Sequence, residues 1–381
     1  MKILMNFSDW GATPERKKQN TWGGVGYYRI VNPANCIHDH EVTLVGNEIL
    51  KFGNSIDEQW DNIFKEYDVF WTSYFADERS AVAVFAYAQK HGKKVIIDLD
   101  DNYLDIPESN LLYNQFKKTK RDRAILSTVL SLADAITVST EPLMERIKGH
   151  IKLLHGIDKP VFLLPNFNDK KDWDFKPVDK NNDRFVIGYA GSNSHLDDLK
   201  MVLPSIKEIM GKYPHVWFEM VGIISIDKIK EYLGGFTDDM LGRMAIVGAT
   251  PTFNEFPEWL SQRPWNVGIA PLVDTAFTRS KSHIKWMEYS MFKIPTIASR
   301  VYPYFMEIAG RETIKDGETG FLVKNNEWVK TFEQLIKNPK RAQEIGENAF
   351  KEVCDKWQYA NSEINDTVND MLSSLDSKKS L

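Results

Sequence analysis

Short apolar runs alternate with amphipathic stretches along most of the chain. Runs of strand length lie at 2–6, 41–45, 69–72 and 94–99, and the segments between them, notably 80–91, carry helical periodicity. Strands that alternate with helices predict a parallel, doubly wound sheet. A polar, charged stretch at 170–183, KKDWDFKPVDKNND, has no apolar period and marks a boundary. The pattern then restarts, with strands expected at 185–189, 217–221 and 244–247 and a short helix at 257–261. The segment 265–300 reads as strand (267–272), polar loop, helix (282–291) and strand (294–298), a βαβ unit around which the second half is organised. Two helices follow within 330–350 and a last one at 359–375, with a frayed end. The expected organisation is therefore a unit over 1–170, a second over 184–355 and a tail over 356–381.

A length of 381 residues suits two such units, each able to bury its own core. The formal charge of -5 argues against a protein that holds nucleic acid mainly through its net field. Cys36 and Cys354 are far apart and no Cys/His cluster has zinc spacing, which fits a reducing compartment and no structural metal. The N-terminal apolar run is too short for a signal peptide and nothing approaches a membrane span, so a cytoplasmic protein is expected. Trp10, Trp22 and Trp71 fall near predicted loops, where an aromatic ring serves packing more often than as a sugar platform.

Candidate chemistry collects at the ends of the predicted strands. The helix expected from Ser282 has Lys281 and Lys285 flanking its cap and Arg279 just before it, where the helix dipole disfavours cations. Such a start wants an anion, and backbone N–H groups with two lysines can hold a phosphate or diphosphate; a solvated basic loop is the plain alternative. Glu288, one to two turns on, can reach a sugar or ribose hydroxyl. After the first strand, Gly23 and Gly24 open a helix carrying Arg29, either to let backbone amides approach a ligand or to form a tight turn. After the strand at 185–189 comes Gly191-Ser192-Asn193-Ser194-His195, a second glycine turn before a helix. The strand at 94–99 ends in Asp98-Leu99-Asp100-Asp101, where crowded carboxylates raise at least one pKa and can serve an acceptor, a proton or a metal ion. The run 117–123, KKTKRDR, is a solvated face or a border that attracts an anionic acceptor.

Ser280 to Glu288 resembles, in the form K-S-x-x-K-x-x-E-Y, the E-x7-E segment of retaining GT-B glycosyltransferases of the family 4 type. The stretch 314–323, IKDGETGFLV, resembles the segment that follows the donor site in that family. Residues 133–139 and 163–167 resemble two strands of its first domain, and Gly23-Gly24 resembles its glycine loop. The resemblance implies a GT-B fold, two Rossmann-like doubly wound parallel-sheet domains facing a central cleft. It also implies a nucleotide-diphosphate sugar as co-substrate, no other cofactor, no metal, and retention at the anomeric carbon. Glu288 then holds the ribose, and the family's first Glu, which contacts the transferred sugar, falls on Ser280. Gly23, Gly24, Gly191, Ser192, Asn193, His195, Ser280, Lys281, Ser282, Lys285 and Glu288 become donor-binding candidates. Asp100, Asp101 and Arg29 become catalytic ones on the acceptor side. The acceptor stays open among glycan, lipid-linked, protein and, because GGVGYYR resembles phage-encoded glycosyltransferases, a modified DNA base. An epimerase on the same fold, or a nucleotide-sugar-binding protein without catalysis, are the rival readings.

Overall fold

The computed structural model describes residues 1–7, 22–46, 52–73, 78–110, 113, 120–180, 183–192, 195–222, 235–247 and 252–376. Among them, β1 (Lys2–Asn6), β2 (Glu41–Val45), β3 (Val69–Ser73), β4 (Lys94–Leu99), β5 (Ala135–Val138) and β6 (Val161–Leu163) form one sheet in the order β2-β1-β3-β4-β5-β6. A second sheet runs β14-β11-β10-β7-β8-β9, from β7 (Phe185–Ala190), β8 (Val216–Val221), β9 (Met244–Val247), β10 (Val267–Ala270), β11 (Thr296–Ser299) and β14 (Phe321–Val323). Every pairing in both is parallel; the one antiparallel pair described, β12 (Glu307–Ile308) with β13 (Arg311–Glu312), stands apart. Helices cover the sheets, so β3, β5, β7, β10 and β11 are buried from end to end. The order reverses at β1/β3 in the first sheet and at β7/β10 in the second. Ligands of doubly wound sheets bind outside the strand C-termini at such points.

Several boundaries shift from the sequence reading for local reasons. β10 stops at Ala270 because Pro271 lacks an N–H for the ladder, and β11 starts only at Thr296, after Lys293 (φ 54°) and Pro295. β6 covers Val161–Leu163 rather than 163–167, and the expected last helix is a 3-10 turn, Tyr359–Asn361, followed by a helix over Ile364–Asp376. The run at 117–119 and Trp10 lie outside the described residues, whereas Trp71 is fully buried in the core. No described helix is long and apolar enough to cross a membrane.

Two packing choices set up the site. In the second sheet Gly188 pairs with Gly268; a Cβ on the first would come within 1.8 Å of Trp265, and one on the second within 2.4 Å of Tyr289. This close approach lets the helix Ile284–Met291 lie against the sheet, where the Tyr289 hydroxyl accepts from the Ala190 N–H at 3.1 Å. In the first half, the helix after Gly23 contains a π-helical stretch, Tyr27–Val31, whose five side chains are all buried. Tyr27, Tyr28 and Arg29 all point into the interior.

The chain crosses between the halves after β6 and returns after Trp357, and the two crossings are hydrogen-bonded to each other. Asn168 N donates to Trp357 O and Tyr359 N donates to Asn168 O, both at 2.9 Å. The outgoing link is polar, as its sequence says, yet Trp173 anchors it among Phe253, Phe256 and Phe292. The helix Ile364–Asp376 lies on the first half, where Asn365 and Asn369 donate to Asp39 Oδ2 at 2.8 and 2.6 Å.

Candidate functional site

A cleft of about 230 Å³ opens between the C-terminal edges of the two sheets, at both switch points. Gly24, Tyr28 and Arg29 line it from the helix after β1, Asp100 and Asp101 from the loop after β4, and Asn166 from beyond β6. From the other half come His195, Lys281, Ser282, Lys285 and Glu288. Gly23, Gly191, Ser192 and Ser280 are near but do not line it, and Asn193 lies outside the described residues.

The helix expected to be capped by Ser282 begins at Ile284, with His283 as N-cap and no side-chain cap bond. Ser282 has another partner: its Oγ accepts from Asn166 Nδ2 of the opposite half at 2.8 Å. Lys281 spans the cleft, its Nζ 2.9 and 3.1 Å from the two Asp101 carboxylate oxygens. Lys285 differs. It makes no hydrogen bond or ion pair with any described residue, and its ammonium sits 5.7 Å from the centre of the Tyr189 ring. Burial lowers its pKa from the ordinary value, partly opposed by the Glu288 carboxylate. Lys285 is half-buried, whereas Glu288 is buried, its carboxyl pushed up to about 7 by desolvation. The Tyr28 hydroxyl lies 3.3 Å from Glu288 Oε1 and 2.9 Å from Asn168 Oδ1, joining the ligand wall to the crossing segments.

His195 is held from behind: Nδ1 is 2.8 Å from Asp198 Oδ2, and Asp198 Oδ1 accepts from Val273 N at 2.7 Å. Burial, with Lys285 nearby, drops its pKa to about 4, so the imidazole facing the cleft is neutral near pH 7. Gly191 supports this wall, since a Cβ there would come within 2.4 Å of the Tyr189 hydroxyl. Lys200, the other cation near this turn, has its ammonium 3.4 Å from Asp197.

The aspartate cluster divides into different roles. Asp98 takes a fork from Arg29, Nε to Oδ1 at 2.9 Å and Nη2 to Oδ2 at 2.7 Å, and accepts from Thr137 Oγ1 at 2.6 Å. Arg29 Nη1 donates to Leu164 O at 2.5 Å and Asn166 Oδ1 at 2.8 Å. With 1% of its surface exposed, Arg29 is a cross-brace behind the cleft, and Asp98 is committed to it rather than open to a metal. Asp100 accepts from Tyr103 Oη at 2.7 Å, and its pKa rises to about 7, mainly from burial and then from Asp101. The mutual repulsion legible in the sequence is thus the second cause, not the first. Ser280 is buried in the wall, its hydroxyl donating to Ala276 O at 3.0 Å and lying 3.3 Å from Asn102 Nδ2, while its carbonyl accepts from Thr140 Oγ1 at 2.7 Å.

Sequence reasoning gave no role to Tyr28, Asn102 or Tyr304, and named Asn166 only within a strand resemblance. Tyr28 and Asn102 bond across the cleft, and Tyr304 lines it. None belongs to a spacing motif, because each acts through a contact between distant segments.

His283, fully buried against Trp357 (ring centroids 3.9 Å), has no hydrogen-bond partner on either nitrogen. Burial lowers its pKa from 6.5 to about 3. The unfolded chain takes up a proton below pH 6.5 that the folded protein refuses, so this residue costs stability as pH falls from there toward 3. Urea unfolding at pH 7 and pH 5 should show His283→Leu losing about 2 kcal/mol less stability than the parent over that interval. Asp100 and Glu288 titrate in the opposite sense, but being present in both proteins they cancel. Equal pH dependence of the two would refute the buried neutral imidazole.

No protein-family model and no curated protein sequence matches the chain. Solved structures do. HepE of Anabaena, in complex with UDP-glucose, superposes with a TM-score of 0.64 at 12% identity, over 98% of this chain and 100% of that one. Sucrose-phosphate synthase of Thermosynechococcus elongatus gives 0.61 at 14% identity, over 99% and 100%. A glycosyltransferase of Rickettsia africae gives 0.61 at 15%, over 98% of both chains. The likeness runs through both sheets, and the chain has the GT-B fold.

Proposed function

We propose that this GT-B chain is a glycosyltransferase that moves a sugar from a nucleotide-diphosphate sugar to an acceptor hydroxyl. The observation that carries the reading is Lys285, a half-buried cation at a helix start that makes no hydrogen bond or ion pair with any described residue, its charge opposed at longer range by the Glu288 carboxylate. Drawing a charge away from water is costly unless it is paired, and the Lys285 ammonium lines the cleft without a direct partner, so an anion of suitable size fits that point. The sequence resemblance and the UDP-glucose bound by a protein of the same fold support a sugar diphosphate as that anion.

In this reading Lys285, Lys281 and the N–H groups of the helix start meet the charge that grows on the leaving diphosphate, so no metal ion is needed. Glu288 accepts from a ribose hydroxyl, and the neutral His195, its ring fixed by Asp198, borders the transferred sugar. Asp100, poised near neutrality, faces the acceptor and can take its proton. Retention at the anomeric carbon rests on the family resemblance.

A thermal-shift panel of UDP-, GDP- and ADP-sugars tests the reading, because a ligand that binds only the folded chain raises its melting temperature. A flat response to the whole panel would refute it. Where one nucleotide stabilises, Glu288→Gln should weaken the free nucleoside diphosphate and the nucleotide sugar alike, by about tenfold, the loss of one charged acceptor. A loss confined to the sugar donor would move Glu288 from the ribose to the sugar.

A further inference from the structure

The two lysines of the anion site are not equivalent. Lys285 makes no direct ion pair with a described residue, whereas Lys281, lying over the Phe277 ring at 4.5 Å, is held by Asp101 of the opposite half. The side chains of Lys281 and Asp101 are only 14% and 23% exposed, so water screens this ion pair little. Three of the surrounding bonds between the halves are neutral: Thr140 Oγ1 to Ser280 O, Asn102 Nδ2 to Ser280 Oγ, and Asn166 Nδ2 to Ser282 Oγ. They can hold the cleft together while one ionic contact changes partner.

We propose that Asp101 is the resident counter-anion of the diphosphate site, occupying Lys281 in the free protein and surrendering it when the diphosphate arrives. This rests on the donor reading above. A diphosphate seated on Lys285 lies within reach of Lys281, carries more charge than one carboxylate, and repels Asp101 from the same side. Exchange frees the Asp101 carboxylate beside Asp100, on the face where an acceptor hydroxyl enters. The donor therefore binds first, and an acceptor that depends on Asp101 binds well only afterwards. After transfer, Asp101 competes for Lys281 again and helps the diphosphate leave.

Calorimetric titration of inorganic pyrophosphate and of UDP into the full chain tests this. A residue that merely held the site in shape would weaken binding when changed; a displaced counter-anion strengthens it. Asp101→Asn should tighten both probes by about tenfold, and Asp101→Ser, checked for an unchanged melting temperature, should do the same. Lys281→Met should weaken both, and in that background Asp101→Asn should change affinity by less than about threefold, because its competitor for Lys281 is gone. Unchanged or weaker binding in Asp101→Asn, or the same gain in both backgrounds, overturns the proposal while leaving the donor reading intact. Failure of the parent and all variants to bind either probe refutes the donor reading, and the proposal with it.

Discussion

Lys285→Ala should remove most nucleotide-sugar affinity and still leave the protein as stable as before, or more so. One charge-assisted hydrogen bond to a phosphate contributes about 1.5–3 kcal/mol, so the dissociation constant should rise about 10- to 150-fold. Turnover should fall further, by about 10²–10³, because the lysine faces charge that increases as the glycosidic bond breaks. Stability does not follow because the parent half-buries an ammonium with no direct ion pair, and desolvation, outweighing the Glu288 carboxylate, has lowered its pKa. Calorimetry, steady-state kinetics and thermal melts on one preparation check all three. A variant that binds and turns over normally, or that unfolds, removes Lys285 from the role given to it.

Arg29→Leu should cost about 3–5 kcal/mol of folding stability, a large share of the 5–15 kcal/mol typical of a native protein. The substitution leaves Asp98 as an unpaired carboxylate at the centre of the first half, with Thr137 as its remaining partner, and strips Leu164 O and Asn166 Oδ1 of a donor. Arg29→Lys should rescue little, since an ammonium cannot reproduce the two-pronged contact while also reaching Leu164. Denaturant unfolding gives the measurement. A variant with parental stability and no transfer would place Arg29 among the catalytic groups, as its position in the sequence suggested.

The contrast between these two residues shows what could be read from the chain alone. Both are basic and both follow a strand near a predicted helix start. Lys285 breaks the dipole rule, a purely local signal, and the helix ends where the local pattern put it and starts two residues later, at Ile284. The burial of Arg29, within a π-helical stretch, goes with its pairing to Asp98, sixty-nine positions away, which no local period encodes. The sheets were legible for the same reason as Lys285: strands covered on both faces read as continuous apolar runs. Their ends were less legible, because prolines and side-chain bonds to other segments decide them. Ser282 looks like a cap by type and position, but Asn166 claims its hydroxyl. Ser280, set against a sugar-contacting Glu by alignment of motifs, is spent on the wall through Asn102 and Ala276, partners that only the folded chain supplies.

The paired crossings at Asn168 and Gln358 limit how the cleft can move. A single tether would let one half swivel in any direction, whereas two strands laced together act like the spine of a book and favour opening about one line. That spine runs beside the cleft floor, because Asn168 also receives the Tyr28 hydroxyl that touches Glu288. A few degrees of rotation would barely disturb the wall at Glu288, while the gap bridged by Lys281 and Asp101 would widen more with its distance from the spine. The covers can part to admit or release a ligand without dismantling the shelf on which the ribose would rest.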